Sequence, residues 1–205
     1  MQQKNRIIIL HKEKFVGDGM SRECYIHPDN KDQCIKIPHK SPSSRRSMKR
    51  EVSYFKRLKK RKKSFLMVSS YLYQVETSKG IGEVFELIRD HDGSISRSMK
   101  HYLSLGDENI KQTILEMVEV LRQYLIKEYI LFSDLRTDNI LLQKISHTES
   151  QLIIIDGIGD NNQIPFLEYI PILGLKRQIK KWEKLRNELI KEFSCDPDKI
   201  KRFNE

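Results

Sequence analysis

The sequence predicts an α+β protein, with a small antiparallel sheet carrying one helix in its first half and a mainly helical second half. Short aliphatic runs broken by Gly, Pro, Asp and Asn fill residues 6–88, the pattern of strands and tight turns. Ile110, Ile114, Val118, Leu121 and Leu125 then recur at three and four residues, the stripe of a helix buried on one side. Beyond them, Ile140-Leu141-Leu142 and Leu152–Ile155 are short enough for strands. With 205 residues and 38% hydrophobic content the chain can build a real core, which excludes full disorder. It suits a single domain over 1–205, divided near 90 into halves of about 1–90 and 91–205.

Each element follows from local signals. Residues 6–10 and 14–16 read as a first strand and its approach to a turn at Gly17-Asp18-Gly19. Glu23–Ile26 forms a second strand, His27-Pro28-Asp29-Asn30 a turn, and Gln33–Ile37 a third strand stopped by Pro38. Residues 39–47, rich in Ser, Pro and Arg, read as an exposed loop before a helix over 48–63. Phe65–Val75 and Glu83–Ile88 are two further strands around a Gly80/Gly82 turn. Residues 89–94 mark the boundary between the halves. Asp107 is a good N-cap for the long helix. Gln151–Ile155 is a strand leading into Asp156-Gly157. Lys176–Phe193 is a basic amphipathic helix with Ile179, Trp182, Leu185, Leu189 and Ile190 facing inward.

Charge and composition narrow the function classes. Lys plus Arg number 38 against 28 Asp plus Glu, a formal charge of +10. From Lys56 to Lys63 only Leu58 is not a cation. That block reads first as a solvated helix end, where cations are favoured, and second as a patch for an anionic surface or an acidic partner. Nucleic acid is disfavoured, because few aromatics interleave the block and no zinc-finger spacing, RNP sequence or GxxG clamp accompanies it. The longest aliphatic runs have four residues, against roughly 20 needed to span a bilayer. Met1–Lys4 lacks the apolar stretch of a signal peptide. Cys24, Cys34 and Cys195 fit neither a disulfide framework nor a zinc cluster. The expectation is a soluble, reduced, cytoplasmic protein without a transmembrane segment.

Five features occur in one order. Gly17-Asp18-Gly19 lies between strands, Lys36 sits in the strand Cys34-Ile35-Lys36-Ile37, and Glu51 lies at the start of a helix. Asp134-Leu135-Arg136-Thr137-Asp138-Asn139 follows the long helix, and Asp156-Gly157 follows Ile153-Ile154-Ile155. The layout resembles the protein-kinase signature of glycine loop, strand lysine, helix glutamate, catalytic loop and metal-binding aspartate. Glycines let backbone approach phosphates, a strand lysine supplies a point charge, and a carboxamide and a carboxylate are oxygen ligands suited to Mg2+. In those terms Gly17, Gly19, Arg22, Lys36 and Glu51 bind ATP, with Glu51 holding Lys36. Asp134 is the base, Arg136 a cation beside the transferred phosphoryl group, and Asn139 and Asp156 the metal ligands. The five-residue step from Asp134 to Asn139 is that of the kinase catalytic loop.

A closer resemblance is carried by Gly-x-Gly-x-x-Arg-x-Cys-Tyr-x-His-Pro over Gly17–Pro28, by Cys34-Ile35-Lys36-Ile37, and by Arg50-Glu51 and Asp92-Gly93. Leu135–Leu141 and Asp156-Gly157-Ile158-Gly159 continue it, so that it spans roughly residues 10–190. These motifs resemble the YrbL family of bacterial kinase-like proteins, named for its place in the PhoP regulatory network. The resemblance implies a bilobal kinase-like fold with a truncated second lobe, and ATP binding. It implies no settled substrate.

The chain departs from ordinary protein kinases in four places. Phe132-Ser133 stands where His-Arg precedes the catalytic Asp, and Arg22 replaces the third glycine, placed either to reach a phosphate or to face solvent. Asp156-Gly157-Ile158-Gly159 lacks the Phe of Asp-Phe-Gly, and no Ala-Pro-Glu follows. The leading expectation is a small ATP- and magnesium-dependent kinase acting on a hydroxyl, foremost a protein Ser or Thr, including its own Ser41, Ser43, Ser44 or Ser47. The alternatives are a nucleotide-binding pseudokinase acting as an interaction module, a kinase for a lipopolysaccharide or sugar hydroxyl, and a nucleic-acid-binding protein using Lys56–Lys63.

Overall fold

The computed structural model describes residues 7–159 and 171–192. The first half is a five-stranded antiparallel sheet of β1 (Phe15–Asp18), β2 (Arg22–His27), β3 (Asn30–Pro38), β4 (Tyr71–Thr77) and β5 (Gly80–Glu86), in the order β1-β2-β3-β5-β4. Helix α1 (Pro42–Lys60) connects β3 to β4. The second half holds a three-stranded sheet of β6 (Arg97–Ser98), β7 (Ile140–Lys144) and β8 (Ser150–Ile154), in that order. Around it lie α2 (Met99–Ser104), α3 (Glu108–Glu128) and α4 (Pro171–Glu192). The α+β class is as expected. Among the described residues no helix is long and apolar enough to cross a membrane.

Strand alternation decides which residues meet α1. Registers Cys24↔Lys36, Ile26↔Cys34, Cys34↔Phe85 and Lys36↔Glu83 put these side chains on one face of the sheet. There Cys34 and Phe85 pack with Met48, Val52 and Phe55 of α1. Ile35, Ile37, Tyr25 and Val84 point to the other face and form a second cluster with Ile8. Gly82 lies under that cluster, and a Cβ there would stand 2.5 Å from Ile35 Cγ2 and 2.8 Å from Ile37 Cδ1. The β4–β5 turn falls instead at Ser78-Lys79, so that both Gly80 and Gly82 belong to β5.

Several boundaries move from their sequence positions. Residues 6–10 do not form a regular strand over the described part. Ile8 makes one parallel bridge to Thr77, with Ile7 and Ile9 exposed on either side. Much of the loop read over 39–47 is helix, because Ser41 Oγ caps α1 by accepting from Ser44 N at 3.2 Å and Pro42 opens the first turn. At the other end α1 stops at Lys60, short of the expected 63, and Lys62 turns left-handed. Within the basic block, Leu58 is the residue fully buried in the core. Phe65–Ser70 is mostly irregular, with Val68 bridging Ile154, so that β4 begins only at Tyr71. The short β6 and α2 carry no strong periodicity and were not foreseen.

The long helix α3 agrees closely with its stripe. Asp107 Oδ1 accepts from Asn109 N and Ile110 N, and Ile114, Val118, Leu121 and Leu125 are buried. Helix α4 buries Leu185 and Leu189, but Ile179, expected on its inner face, is exposed. The Ile190 side chain and Phe193 lie outside the described residues, as does Cys195. One core cluster joins the two halves, running from Met48, Phe55 and Leu58 of α1 to Ile130, Phe132 and Ile154. Backbone bonds reinforce the join, from Ile154 N to Met67 O at 3.0 Å and from Ser69 N to Ile154 O at 2.8 Å.

The cap on α1 makes a direct prediction. Ser41→Ala should lower the unfolding free energy by about 1 kcal/mol, and Ser41→Asp should retain it. Urea titration of both variants measures this, and an unchanged midpoint in Ser41→Ala would show that the cap contributes nothing.

Candidate functional site

Two groups of side chains converge between the five-stranded sheet and the loops after α3 and β8. From the sheet comes Lys36, 5% exposed, on β3. Its Nζ donates to the carbonyl oxygen of Ile155, the residue before Asp156, and stands 4.2 Å from the Phe85 ring centroid. A buried ammonium requires such partners, since an unpaired charge is costly away from water. Arg22, on β2, is buried as well. Its Nη1 donates to Glu51 Oε2 of α1, and its Nη2 lies 3.2 Å from Asp156 Oδ1.

From the other side comes the segment 132–139. Asn139 precedes β7 and Ile155 follows β8, and Ile155 N donates to Asn139 O at 2.9 Å. Sheet pairing therefore sets Asn139 beside the residue that leads into Asp156. Asn139 Nδ2 donates to Asp134 O at 3.3 Å, which leaves its Oδ1 as the free end of the amide. Asp156 Oδ1 accepts from Gly157 N at 2.7 Å. Gly157 has φ +79, and a Cβ there would sit 2.4 Å from Asp134 O. Only glycine permits both the left-handed turn and that approach. Ser133 N and Oγ both donate to Gly157 O, at 2.7 and 3.1 Å, locking the two loops together.

The electrostatics centre on Glu51, 5% exposed, with one carboxylate oxygen, Oε1, that has no hydrogen-bond partner. Burial pushes its carboxyl above the usual range. Arg22 opposes that shift, Asp156 reinforces it and Lys36 opposes it further. Among the described residues no cluster of three or more His, Cys, Asp or Glu offers a metal site. The candidate oxygen donors are the Asp156 carboxylate and the Asn139 carboxamide. Two hard oxygen donors are the donor type that suits a divalent cation such as Mg2+.

Lys36, Glu51, Arg22, Asn139, Asp156 and Asp134 are thus gathered in one region, but two contacts differ from expectation. Glu51 pairs with Arg22 rather than with Lys36, which reaches past it to Ile155. Arg22 neither faces solvent nor stands free for a phosphate, because β2 aims it at two carboxylates whose charge draws it inward. Arg136 pairs with Asp138, 2.8 Å away. Gly17 and Gly19 lie in and beside β1, and Gly19 N donates to Arg22 O at 2.9 Å. A Cβ at Gly17 would meet nothing within 4 Å, so the fold itself does not demand glycine there.

Sequence reasoning missed the contribution of α4. Lys184 Nζ lies 3.5 Å from Asp134 Oδ1, Glu188 Oε1 accepts from Thr137 Oγ1 at 2.6 Å, and Lys181 donates to Phe132 O. Phe132 stacks edge-on against Trp182, with centroids 5.6 Å apart. The only sequence signal was the basic, amphipathic character of 176–193, which does not say what its polar face meets.

Comparison with known proteins agrees with the resemblance. The family model described as PhoP regulatory network protein YrbL matches residues 8–190. The chain is 30% identical over 181 residues to "Uncharacterized protein YrbL" of Escherichia coli (strain K12), covering 87% of this chain and 86% of that protein. The same figures hold for the protein of that name in Shigella flexneri.

Removing the guanidinium tests the ion network. Arg22→Ala leaves Glu51 buried without its cation and should destabilise the fold by about 3–5 kcal/mol. Because burial already holds Glu51 above the usual carboxylate range, the unfolded chain releases that proton first, and stability falls as pH rises from there through the folded-state pKa. Arg22→Ala removes an opposing influence, so its deficit should widen from mildly acidic to neutral pH. Chemical denaturation of both proteins across that range measures this, and a pH-independent deficit would show that Arg22 acts by packing alone.

Proposed function

This chain belongs to the family of the PhoP regulatory network protein YrbL, and from that premise we propose that it is a small protein-kinase-like phosphotransferase. It would carry ATP between an upper lobe (the five-stranded sheet with α1) and a lower one (the remainder). The observation that carries this reading is the convergence of a buried Lys36 on the carbonyl next to Asp156, with Asn139 paired beside that same residue. A lysine is seldom buried in a strand without a charge to meet. The open space over Gly17 and the unpartnered Oε1 of Glu51 fit a site left incomplete without its ligand.

In this reading Lys36 binds the phosphates, and the β1–β2 turn with Gly17 and Gly19 covers them. Glu51 holds the cations of the upper lobe in place. Asn139 and Asp156 would hold magnesium, which would supply positive charge against that of the phosphates. Asp134 accepts the proton of the attacking hydroxyl on its carboxylate, and Lys184 orients that carboxylate. Arg136 lies close by as a cation for the acceptor side. The acceptor is a hydroxyl, with a protein Ser or Thr first. Of the serines near α1, Ser44 is buried, so Ser41 and Ser43 are the exposed hydroxyls at that helix start, where a phosphate is favoured.

A second reading, a nucleotide-binding module without transfer, draws on one observation: Asp156 is already paired with Arg22. Turnover separates the two. With radiolabelled ATP and magnesium, the wild type should transfer phosphate, Asp134→Asn should be slower by about 100- to 10,000-fold, and Asp156→Ala should fall to background. Turnover surviving in both variants would end the kinase assignment. Nucleotide-induced thermal stabilisation without any transfer would favour the second reading.

A further inference from the structure

Two cysteines stand on the same face of the sheet as Lys36. Cys24 is the register partner of Lys36, and Cys34 lies two residues before Lys36 on β3, so the thiols are diagonal neighbours. Cys34 Sγ donates to Glu86 O at 3.9 Å. Cys34 is buried and Cys24 half-buried. The neighbouring Cys24 sulfur holds the Cys34 thiol below its usual range, with the Lys36 ammonium assisting, while Cys34 and burial raise Cys24. None of the proposed phosphotransfer chemistry uses either sulfur.

We propose that Cys24 and Cys34 are a redox-active dithiol, closed by peroxides into an intramolecular disulfide that disables the cleft beside Lys36. The Cys34 sulfur, the thiol held in the lower range, attacks the peroxide, the O–O bond breaks, and the leaving oxygen departs with the thiol proton as water (or as an alcohol, from an organic peroxide). This leaves a sulfenic acid. The Cys24 sulfur then attacks that sulfur, the S–S bond forms, the S–O bond breaks, and hydroxide leaves with the Cys24 proton as water. Two thiols and one hydrogen peroxide give one disulfide and two waters.

Closure alters the site because of strand geometry. Diagonal partners have Cα atoms about 7–8 Å apart, whereas a disulfide tolerates no more than roughly 7 Å. The bridge must therefore draw β2 and β3 together, displacing Lys36 and Arg22, and the strain makes it easy to reduce again. Its formation does not depend on the kinase reading. Its effect on nucleotide does.

The test uses the full chain treated with hydrogen peroxide. Trypsin cuts after Arg22, Lys31 and Lys36, so the two cysteines fall in separate fragments, Glu23–Lys31 and Asp32–Lys36. Without reductant these should appear as one linked species in the wild type, be freed by dithiothreitol, and stay separate in Cys24→Ser. Unlinked fragments carrying sulfinic or sulfonic acid, or oxidation confined to Cys195, would overturn the proposal. In parallel, the thermal shift produced by a non-hydrolysable ATP analogue with magnesium should be lost on oxidation of the wild type and kept by oxidised Cys24→Ser. An equal shift in the cross-linked chain would overturn the claim that the bridge disables the cleft. No shift in the reduced wild type would refute the nucleotide reading instead, while the fragment map still decides the dithiol.

Discussion

The arrangement rests on a single buried guanidinium. Arg22 joins three elements distant in sequence, namely β2, α1 through Glu51, and the loop after β8 through Asp156. A carboxylate as enclosed as Glu51 keeps its charge only if a cation stands against it, and a cation as enclosed as Arg22 needs carboxylates in turn. Neither residue could occupy its position alone. Their mutual requirement draws α1 onto the sheet face that carries Lys36, and it brings the Asp156 segment up to meet both.

A second constraint operates below that network and is steric rather than ionic. Gly157 presses against the Asp134 carbonyl, and Ser133 returns two hydrogen bonds to Gly157. The loop bearing Asp134 and the loop bearing Asp156 are thereby fixed to each other, while pairing of β7 with β8 fixes Asn139 in the same place. The carboxylates at the two ends of this assembly differ in surroundings. Asp134 faces a solvent-exposed lysine on α4, whereas Asp156 faces an enclosed arginine.

Much of this was legible in the residues, and the exceptions are instructive. The strand bearing Lys36 and the capped helix from Asp107 follow from period and punctuation alone, whereas β2 begins one residue before the expected Glu23 and so takes in Arg22. The order of the five polar motifs also pointed to one region. Residues 39–47 were misread because Ser and Pro signal loops and helix starts equally. What separates the two is whether the Ser41 hydroxyl finds Ser44 N, which only the folded backbone decides. The partner of Glu51 was misassigned for a related reason. Lys36 and Arg22 are both within reach of α1, and side-chain length and strand register select between them. The approach of Lys184 to Asp134 joins residues 50 apart and leaves no local trace.

The hydroxyl of Tyr54 on α1 accepts from the backbone N–H of Leu131, 2.8 Å away in the buried core. Swinging α1 outward would strand that donor without water to replace it, at a cost of about 1–3 kcal/mol. Gly159 also lies against the same tyrosine ring. The helix and the segment leading to Asp134 are therefore coupled as one stiff body, unlike a lever that rocks on its neighbour. The β1–β2 hairpin is held differently, by the partly exposed His39 against Asp18 and the Gly19 carbonyl, with Met20 at its tip 87% exposed, so its tethers lie within reach of water.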